Sequence, residues 1–209
     1  MAKPSATAPR YDVHPSVAMV QKWVAELPAK TGRSLEQWAE LVRRSKLPTA
    51  KERRQWLKAE YGHGTNTAWW IVEYAEGSDT WDADPESYLK AAPGYVDAMF
   101  GKGKEWQRPI FEAVLDFART LGPDVKVCPC KTIVPLYRSR VFAELKPATK
   151  TRLELALVLG EVPFEGKLQA NPRAQGNDRL RHLIALTGPK DFDAAVKKWL
   201  KAAYKRDAG

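Results

Sequence analysis

Lysine and arginine side chains recur between residues 131 and 152, where they could bind the phosphates of a nucleic acid. Aromatic rings lie among them, and a ring on a sheet surface can stack on a base of any identity. The residues predicted to form this nucleic-acid or anion-binding sheet face are Lys131, Tyr137, Arg138, Arg140, Phe142, Lys146, Lys150 and Arg152. The alternative is a solvated outer face on which Glu144 and Glu154 pair with the arginines across strands.

A second candidate anion site is the segment from Gly62 to Asn66, which precedes a predicted helix. The free backbone N–H groups and the dipole at a helix N-terminus can hold a phosphate or a carboxylate. Glycine allows a ligand to approach closely, and the neighbouring polar side chains could assist. The predicted anion-binding loop is His63, Gly64, Thr65 and Asn66. The alternative is a helix stop followed by a helix cap, which uses the same residue types.

Cys128 and Cys130 stand two residues apart, a spacing that suggests redox or metal chemistry. A zinc site needs four ligands, however, and the chain has no second cysteine pair and only three dispersed histidines. We therefore expect both thiols to be buried as small hydrophobic groups. The chain also lacks a Gly-x-Ser-x-Gly elbow, a phosphate-binding glycine-rich loop with Lys-Ser/Thr and a His-Glu-x-x-His pair. No catalytic residue, metal ligand or cofactor is predicted.

Period-two alternation places the cationic side chains on strands. Apolar residues occupy the odd positions of residues 141–145 and again of residues 153–159. Residues 147–149 separate the two rows, so we expect an antiparallel hairpin with a buried leucine row and an exposed cationic row. Further strands are predicted over residues 125–129, 132–137 and 182–187, and a long loop over 160–181.

Helical patterns precede the predicted sheet. Ser34 and Thr49 each stand before an amphipathic segment and have Gln or Glu three residues later, which predicts two helix starts with capping boxes. With the helices on either side, these segments make a small four-helix, all-α domain over residues 14–76. Residues 1–13, rich in Pro, Ala and Ser, are interpreted as a flexible tail.

A linker over residues 77–83 leads to the second predicted domain, residues 84–209. Helices followed by a run of strands and a closing helix indicate an α+β domain with a mainly antiparallel sheet that the helices cover. Asp191 or Asp193 caps the closing helix. Its apolar stripe faces inward, and the outward positions are occupied by Lys197, Lys198, Lys201 and Lys205.

The charge and cysteine content of this 209-residue chain indicate its class of partner and its cellular compartment. The formal net charge is +9, and residues 106–209 hold 19 Lys and Arg against 11 Asp and Glu. Such an excess favours acidic partners. No apolar run approaches the length of a membrane span, and the first residues lack the apolar core of a secretory signal. Two cysteines alone suit a reducing compartment, so we expect a cytoplasmic protein without membrane contact.

The chain resembles a bacterial two-domain family of unknown function, which joins a small helical domain to a C-terminal domain that also ends some proteins named predicted transport proteins. The resemblance rests on TGRSLEQWAELV (31–42), WLKAEYGHGTNTA (56–68), KTIVPLYR (131–138), FAELKPATKTRLELALVL (142–159) and DFDAAVKKWLKAAY (191–204). It covers about residues 14–205 and implies the two-domain division and a cytoplasmic bacterial setting. It implies no activity, catalytic residue or ligand. Relatives often have a second histidine in the Gly-His-Gly loop, where this chain has Thr65.

Three functions are compatible with these observations. The first hypothesis is a non-enzymatic cytoplasmic protein whose basic sheet face binds an acidic macromolecule, with nucleic acid favoured over an anionic protein. The second is an enzyme, or a protein that binds a small anion or nucleotide, with its site between the two domains where His63 and the strand arginines would converge. The third is a scaffold or homodimer held through exposed tryptophans, for which Trp70 and Trp81 are the candidates.

Overall fold

A computed structural model describes residues 10–77 and 84–207. The described residues form two compact units, one made by residues 15–77 with 84–88 and the other by residues 10–14 with 89–207. The protein is of the α+β class, as predicted: helices occur in both units and a six-stranded sheet in the second. Residues 78–83 of the predicted linker and residues 1–9 of the predicted tail lie outside the described residues.

The helical unit contains four helices: α1 (Pro15–Thr31), α2 (Leu35–Arg44), α3 (Ala50–Tyr61) and α4 (Thr65–Ala75). Both predicted capping boxes are confirmed, at the starts of α2 and α3. In each, the cap hydroxyl accepts an N–H bond from the third helical residue, whose side chain bonds back to the cap. The core of the unit is made by Leu27, Leu35, Trp38, Val42, Leu57, Ala68, Ile71 and Val72.

The other helices are α5 (Pro85–Met99), α6 (Arg108–Arg119) and α7 (Ala194–Arg206), with short 3-10 turns at Glu105–Gln107 and Pro189–Asp191. The side chain of Asp193 caps α7 by accepting the N–H of Val196 at 3.0 Å. Of the two caps predicted for this helix, Asp193 is therefore confirmed. Among residues 10–77 and 84–207, none of the helices has the length and apolarity needed to cross a membrane.

Six strands form one sheet in which each strand is antiparallel to its neighbours. Their order is β1-β2-β3-β4-β6-β5. The strands are β1 (Lys126–Val127), β2 (Val134–Tyr137), β3 (Val141–Thr149), β4 (Arg152–Leu157), β5 (Gln169–Ala170) and β6 (His182–Leu186). The short strand β5 falls inside the segment predicted to be a loop.

The hairpin break predicted over residues 147–149 is wrong, because β3 continues through Pro147 and the chain turns at residues 150 and 151. The pairing of β3 with β4 shifts register between Lys146 and Thr149. Proline cannot donate to the ladder, and such an irregularity is where a strand tolerates it. Helix α7 packs on β3 and β4.

Strand β4 is buried on both faces. The predicted leucine row is confirmed as core, since Leu153, Leu155 and Leu157 are fully buried. The opposite row was predicted to be solvent-exposed, yet Glu154 is 3% exposed and Ala156 is fully buried. The sheet therefore lacks the open outer face that simple alternation predicts at this strand.

Residues 10–14 belong to the sheet-containing unit. The N–H of Asp12 donates to the carbonyl of Val127 at 2.8 Å, and the N–H of Val127 donates to the Asp12 carboxylate at 2.8 Å. Tyr11 is 5% exposed. The interpretation of residues 1–13 as a flexible tail is therefore wrong for residues 11–13, which attach to the edge of β1.

Candidate nucleic-acid interface

Arg138 was predicted to face solvent, but a carboxylate and a ring engage it. Its Nε donates to Asp124 at 2.7 Å, and its guanidinium lies 4.4 Å from the centre of the Tyr204 ring. The Tyr204 hydroxyl also donates to Asp124, at 2.6 Å. The Tyr204 and Arg138 hydrogen bonds lower the pKa of Asp124 below its usual value, so the carboxylate stays charged opposite the arginine. Arg138 thus serves the contact between α7 and the β2–β3 connection.

Arg152 is likewise engaged, by Glu154 on its own strand. Its Nη2 lies 2.8 Å from the Glu154 carboxylate, which also accepts a bond from Arg173 of the 160–181 segment. Arg173 reaches Glu144 on β3 as well, at 3.3 Å. Burial raises the pKa of Glu144, and the nearby Arg173 opposes that change. The arginines and carboxylates of this face therefore neutralise one another. Arg173 is shared by both glutamates, whereas Arg152 reaches Glu154 along its own strand and not across strands.

The two rings proposed to stack on bases serve the fold. Phe142 is fully buried, and its ring packs edge-on against Tyr204 with 5.7 Å between ring centres. The pairing of β2 with β3 shifts at Tyr137, where Val141 is the partner, so simple alternation fails at Phe142. The Tyr137 hydroxyl lies 3.1 Å from the His14 ring, and burial raises its pKa to about 12. The prediction of an exposed Phe142 is wrong.

The other predicted cations do not form one surface. Lys131, Arg140 and Lys150 are exposed and Lys146 is half-buried, and none of the four has an ion-pair partner among the described residues. Arg140 and Lys150 stand at opposite ends of β3, which separates their backbones by about 30 Å at the usual strand rise. The exposed cations of the predicted face therefore lie at the two ends of β3 and not beside one another.

Helix α7 carries the cationic surface that the sheet lacks. The side chains buried on its inner side are Val196, Leu200, Ala203 and Tyr204. The exposed side chains on its outer side include Lys197, Lys198, Lys201 and Lys205. We call these four the α7 lysines. Among the described residues none of them has a carboxylate within ion-pair distance. The helical periodicity of the sequence correctly predicts that these lysines face outward. The nucleic-acid interface, however, was predicted on the strands and not on this helix.

Among the described residues, paired arginines and unpaired lysines are also found elsewhere in the α+β unit. Its least exposed carboxylates are neutralised by arginines. These pairs are Arg108–Glu112, Arg152–Glu154, Arg173–Glu144, Arg173–Glu154 and Arg179–Asp207. Asp207, 3% exposed, also accepts the backbone N–H of Arg140 at 2.7 Å. The carboxylates nearest the core are thus already paired, and the excess positive charge is left on exposed lysines.

Residues 96–206 match the model of a domain of unknown function (DUF5655), which covers more than half of the chain. The chain belongs to the DUF5655 family. Residues 19–77 match a second domain of unknown function (DUF4287). These two matches confirm the resemblance to a two-domain family of unknown function. Neither a curated protein nor a solved structure matches the chain.

The α7 lysines lie within the DUF5655 match, whereas the predicted anion-binding loop lies within the DUF4287 match. Gly62 ends α3 in the left-handed conformation, with a φ of 68°. Gly64 precedes α4 and no side chain caps that helix, while Thr65 and Asn66 are exposed. The alternative to an anion site was a helix stop followed by a helix cap. The stop is present at the end of α3, but α4 begins without a side-chain cap. Anion binding by this loop stays a prediction.

His63 itself belongs to the DUF4287 core more than to an open loop. It is 8% exposed, and its ring meets Trp38 edge-on with 4.4 Å between ring centres. Burial lowers its pKa, which favours the neutral ring. Its Nε2 is buried and has no hydrogen-bond partner among residues 10–77 and 84–207. An edge-on arrangement is one that neighbouring aromatic rings prefer.

Of the two thiols expected to be buried, Cys128 is buried and Cys130 is half-buried. Burial raises the pKa of Cys128 to about 12 and that of Cys130 to about 11, so both thiols are unreactive near neutral pH. Within the described residues, no group of three or more His, Cys, Asp or Glu could hold a metal ion. Trp70 packs against Trp23 with 4.8 Å between ring centres, and Trp81 lies outside the described residues. The homodimer and the inter-domain site stay predictions.

Proposed function

We propose that the DUF5655 domain is a non-enzymatic polyanion-binding module, that its partner is nucleic acid, and that the α7 lysines are its contact surface. The observation that carries the proposal is the row of exposed α7 lysines without carboxylate partners in the described chain. Lysine side chains release counterions when they neutralise phosphates, which makes a polyanion their natural partner.

Stabilisation of the helix dipole does not explain this row. Cations stabilise the C-terminal turn of a helix, and Lys205 lies there. Lys197 and Lys198, however, are the fourth and fifth residues of α7, close to its positive N-terminal end. Cations there gain nothing from the dipole. Lysines at both ends of one face are instead what a long anionic partner requires.

An anionic membrane surface is a weaker match to α7. A helix that lies in a membrane interface inserts its apolar face among the lipids. The apolar face of α7 is already buried, since Val196, Leu200 and Ala203 are fully covered. Only the charges are available. The spacing of Lys197, Lys201 and Lys205 places them about 6 Å apart along the helix, a regular row suited to a regular row of phosphates.

The test is a titration of a fluorescent 20-base-pair duplex at about 100 mM salt. The wild type is compared with Lys197→Gln/Lys201→Gln/Lys205→Gln and with the matched control Lys126→Gln/Lys131→Gln/Lys150→Gln. Both variants remove three exposed lysines from the same unit and change the net charge equally. We expect the α7 variant to lose about 10-fold or more in affinity and the control to lose about 2-fold or less.

The result that would contradict the proposal is absence of binding by the wild type at low salt, or equal losses in both variants. Equal losses would mean that net charge alone attracts the nucleic acid. We place the activity in the cytoplasm, because the two unpaired cysteines suit a reducing compartment. The proposal for this location rests on that chemistry and on the sequence resemblance.

A further inference from the structure

The chemical groups that α7 exposes limit what it can recognise. Its exposed side chains are alanine methyl groups, lysine ammonium groups and a single arginine: Ala194, Ala195, Lys197, Lys198, Lys201, Lys205 and Arg206. Sequence is read most selectively by side chains that hold two hydrogen bonds to one base edge in a fixed geometry, as Arg, Asn and Gln do, although Lys can also donate to guanine. An ammonium group on a flexible stem acts chiefly as a point charge. Among these exposed side chains, Arg206 is therefore the one with a rigid, planar set of donors for a base edge.

Arg206 is exposed near the end of α7, and it lies against the backbone of Gly160. Its guanidinium lies so close to Gly160 that a side chain at that position would collide with it. Gly160 also has a φ of 65°, which glycine adopts readily and other residues rarely do. The glycine allows the close approach of Arg206 to the chain that follows β4. Apart from Arg206, the charged side chains of this face are lysines, and contacts to phosphate position a protein without specifying sequence.

Rings that could stack on unpaired bases are scarce near the α7 lysines. The Phe117 and Phe192 rings pack against each other with 5.9 Å between their centres, and the Lys197 ammonium lies within 6 Å of both centres. Trp199 is half-buried, with Lys198 at 6.0 Å from its ring centre. Proteins that bind single strands commonly combine a basic groove with open aromatic platforms. These three rings are buried or half-buried, so they offer no fully exposed stacking surface beside the α7 lysines.

We infer that the nucleic acid bound by α7 is double-stranded and that its sequence is not read, an inference that rests on the proposed function. A surface that offers only charge favours the polymer with the denser charge. A duplex carries one phosphate per ~1.7 Å of axis, against ~3.4 Å for each strand. Each neutralised phosphate also releases more counterion from a duplex, ~0.9 against ~0.7 for a single strand.

The experiment uses the full chain with four probes of equal length: a duplex DNA, each of its separate strands, and a duplex of scrambled sequence. Affinities are measured by anisotropy from about 20 to 200 mM salt. With four phosphate contacts, the slope of log affinity against log salt should be about −3.6 for the duplexes and about −2.8 for the strands. At about 100 mM salt we expect the duplexes to bind about 5-fold or more tighter than the strands, and the two duplexes to agree within about 2-fold.

A matched variant separates this inference from the proposed function. Replacing Lys197, Lys201 and Lys205 with Gln should reduce the duplex slope by about 3, with an unchanged far-ultraviolet circular dichroism spectrum. If neither duplex nor strand binds at 20 mM salt, the proposed function fails. If both bind but a strand binds as tightly as the duplex, or one sequence binds more than about 5-fold tighter than the other, the inference alone is overturned.

Discussion

Two cationic regions of the α+β unit differ in what surrounds their charges. On the sheet, Arg138 pairs with Asp124 and Arg152 pairs with Glu154. On α7, four lysines are exposed without a carboxylate partner in the described chain. The comparison shows that a positive charge alone does not make a side chain available to a ligand, because the fold can already have paired it with a carboxylate. In these two regions, the arginines use their planar donors to bind carboxylates and the α7 lysines face solvent.

The difference arises from what covers each region. The 160–181 segment supplies Arg173 to Glu144 and Glu154, and it supplies Arg179 to Asp207. No corresponding acidic segment covers the lysine side of α7 among the described residues. The first region is thereby a structural network, and the second is an open surface. Substitutions in the two regions should therefore differ sharply in what they cost the fold.

Replacing Phe142 with Ala should give the largest loss of stability. The side chain is fully buried against Tyr204, so its removal leaves a cavity and should lower the free energy of unfolding by about 4 kcal/mol. Urea denaturation measures this. The control is Phe164→Ala, because Phe164 is 51% exposed and should cost about 1 kcal/mol or less. A stable Phe142→Ala protein that had lost nucleic-acid binding would instead restore the stacking role.

Replacing Arg173 with Met should have the next largest effect. The change removes the arginine that Glu144 and Glu154 share. The side chain of Glu154 is only 3% exposed. Removing one member of a buried ion pair costs about 3 kcal/mol in the free energy of unfolding. Arg181→Met is the control, since Arg181 is 55% exposed beside an exposed Glu161 and should cost about 0.5 kcal/mol or less. Equal stability of both variants would show that the network is dispensable.

Replacing Asp207 with Asn should cost about 2 kcal/mol near neutral pH. Burial raises the pKa of Asp207, but its hydrogen bonds with the Arg140 N–H and Arg179 outweigh burial and place the pKa below its ordinary value of 3.8. The carboxylate therefore stabilises the fold above that value, and this contribution is lost as the pH falls through the lower, folded pKa.

Denaturation of wild type and Asp207→Asn at several pH values checks this expectation. The difference in stability should be full at about pH 6 and should shrink below about pH 4. The exposed Asp116 provides the control, because Asp116→Asn should leave the denaturation midpoint unchanged. A difference that grew on acidification would show that the charged form of Asp207 does not stabilise the fold.

The smallest effect on stability is expected from the α7 lysines. Replacing Lys197, Lys201 and Lys205 with Gln removes no described ion pair, so the thermal midpoint should stay within about 2 °C of the wild type. Scanning calorimetry measures it. A drop of about 10 °C would show that these lysines support the fold, and the proposed division between structural arginines and available lysines would then fail.

The sequence predicts the local features of this fold well. Capping boxes at Ser34 and Thr49, the cap at Asp193 and the leucine row of β4 depend on residues a few positions apart, and all are confirmed. These features follow from periodicity and from hydrogen bonds within one turn.

The candidate site depends on contacts that are distant in sequence. Glu154 is neutralised by Arg173, 19 residues away, and the register shift at Tyr137 changes where Phe142 lies. Alternation alone carries no information about which segment covers a strand or where the pairing slips. Periodicity did place the α7 lysines correctly, but it could not show that the sheet arginines were already paired.

Lysine acetylation followed by mass spectrometry can locate the nucleic-acid contact on α7 or on the sheet. The protein is acetylated with and without a saturating 20-base-pair duplex, and the modification of each lysine is compared. We expect the duplex to protect Lys197, Lys201 and Lys205, while Lys131 and Lys150 react equally in both samples. Protection of Lys131 and Lys150 with unchanged reaction at α7 would contradict this expectation and return the interface to the sheet.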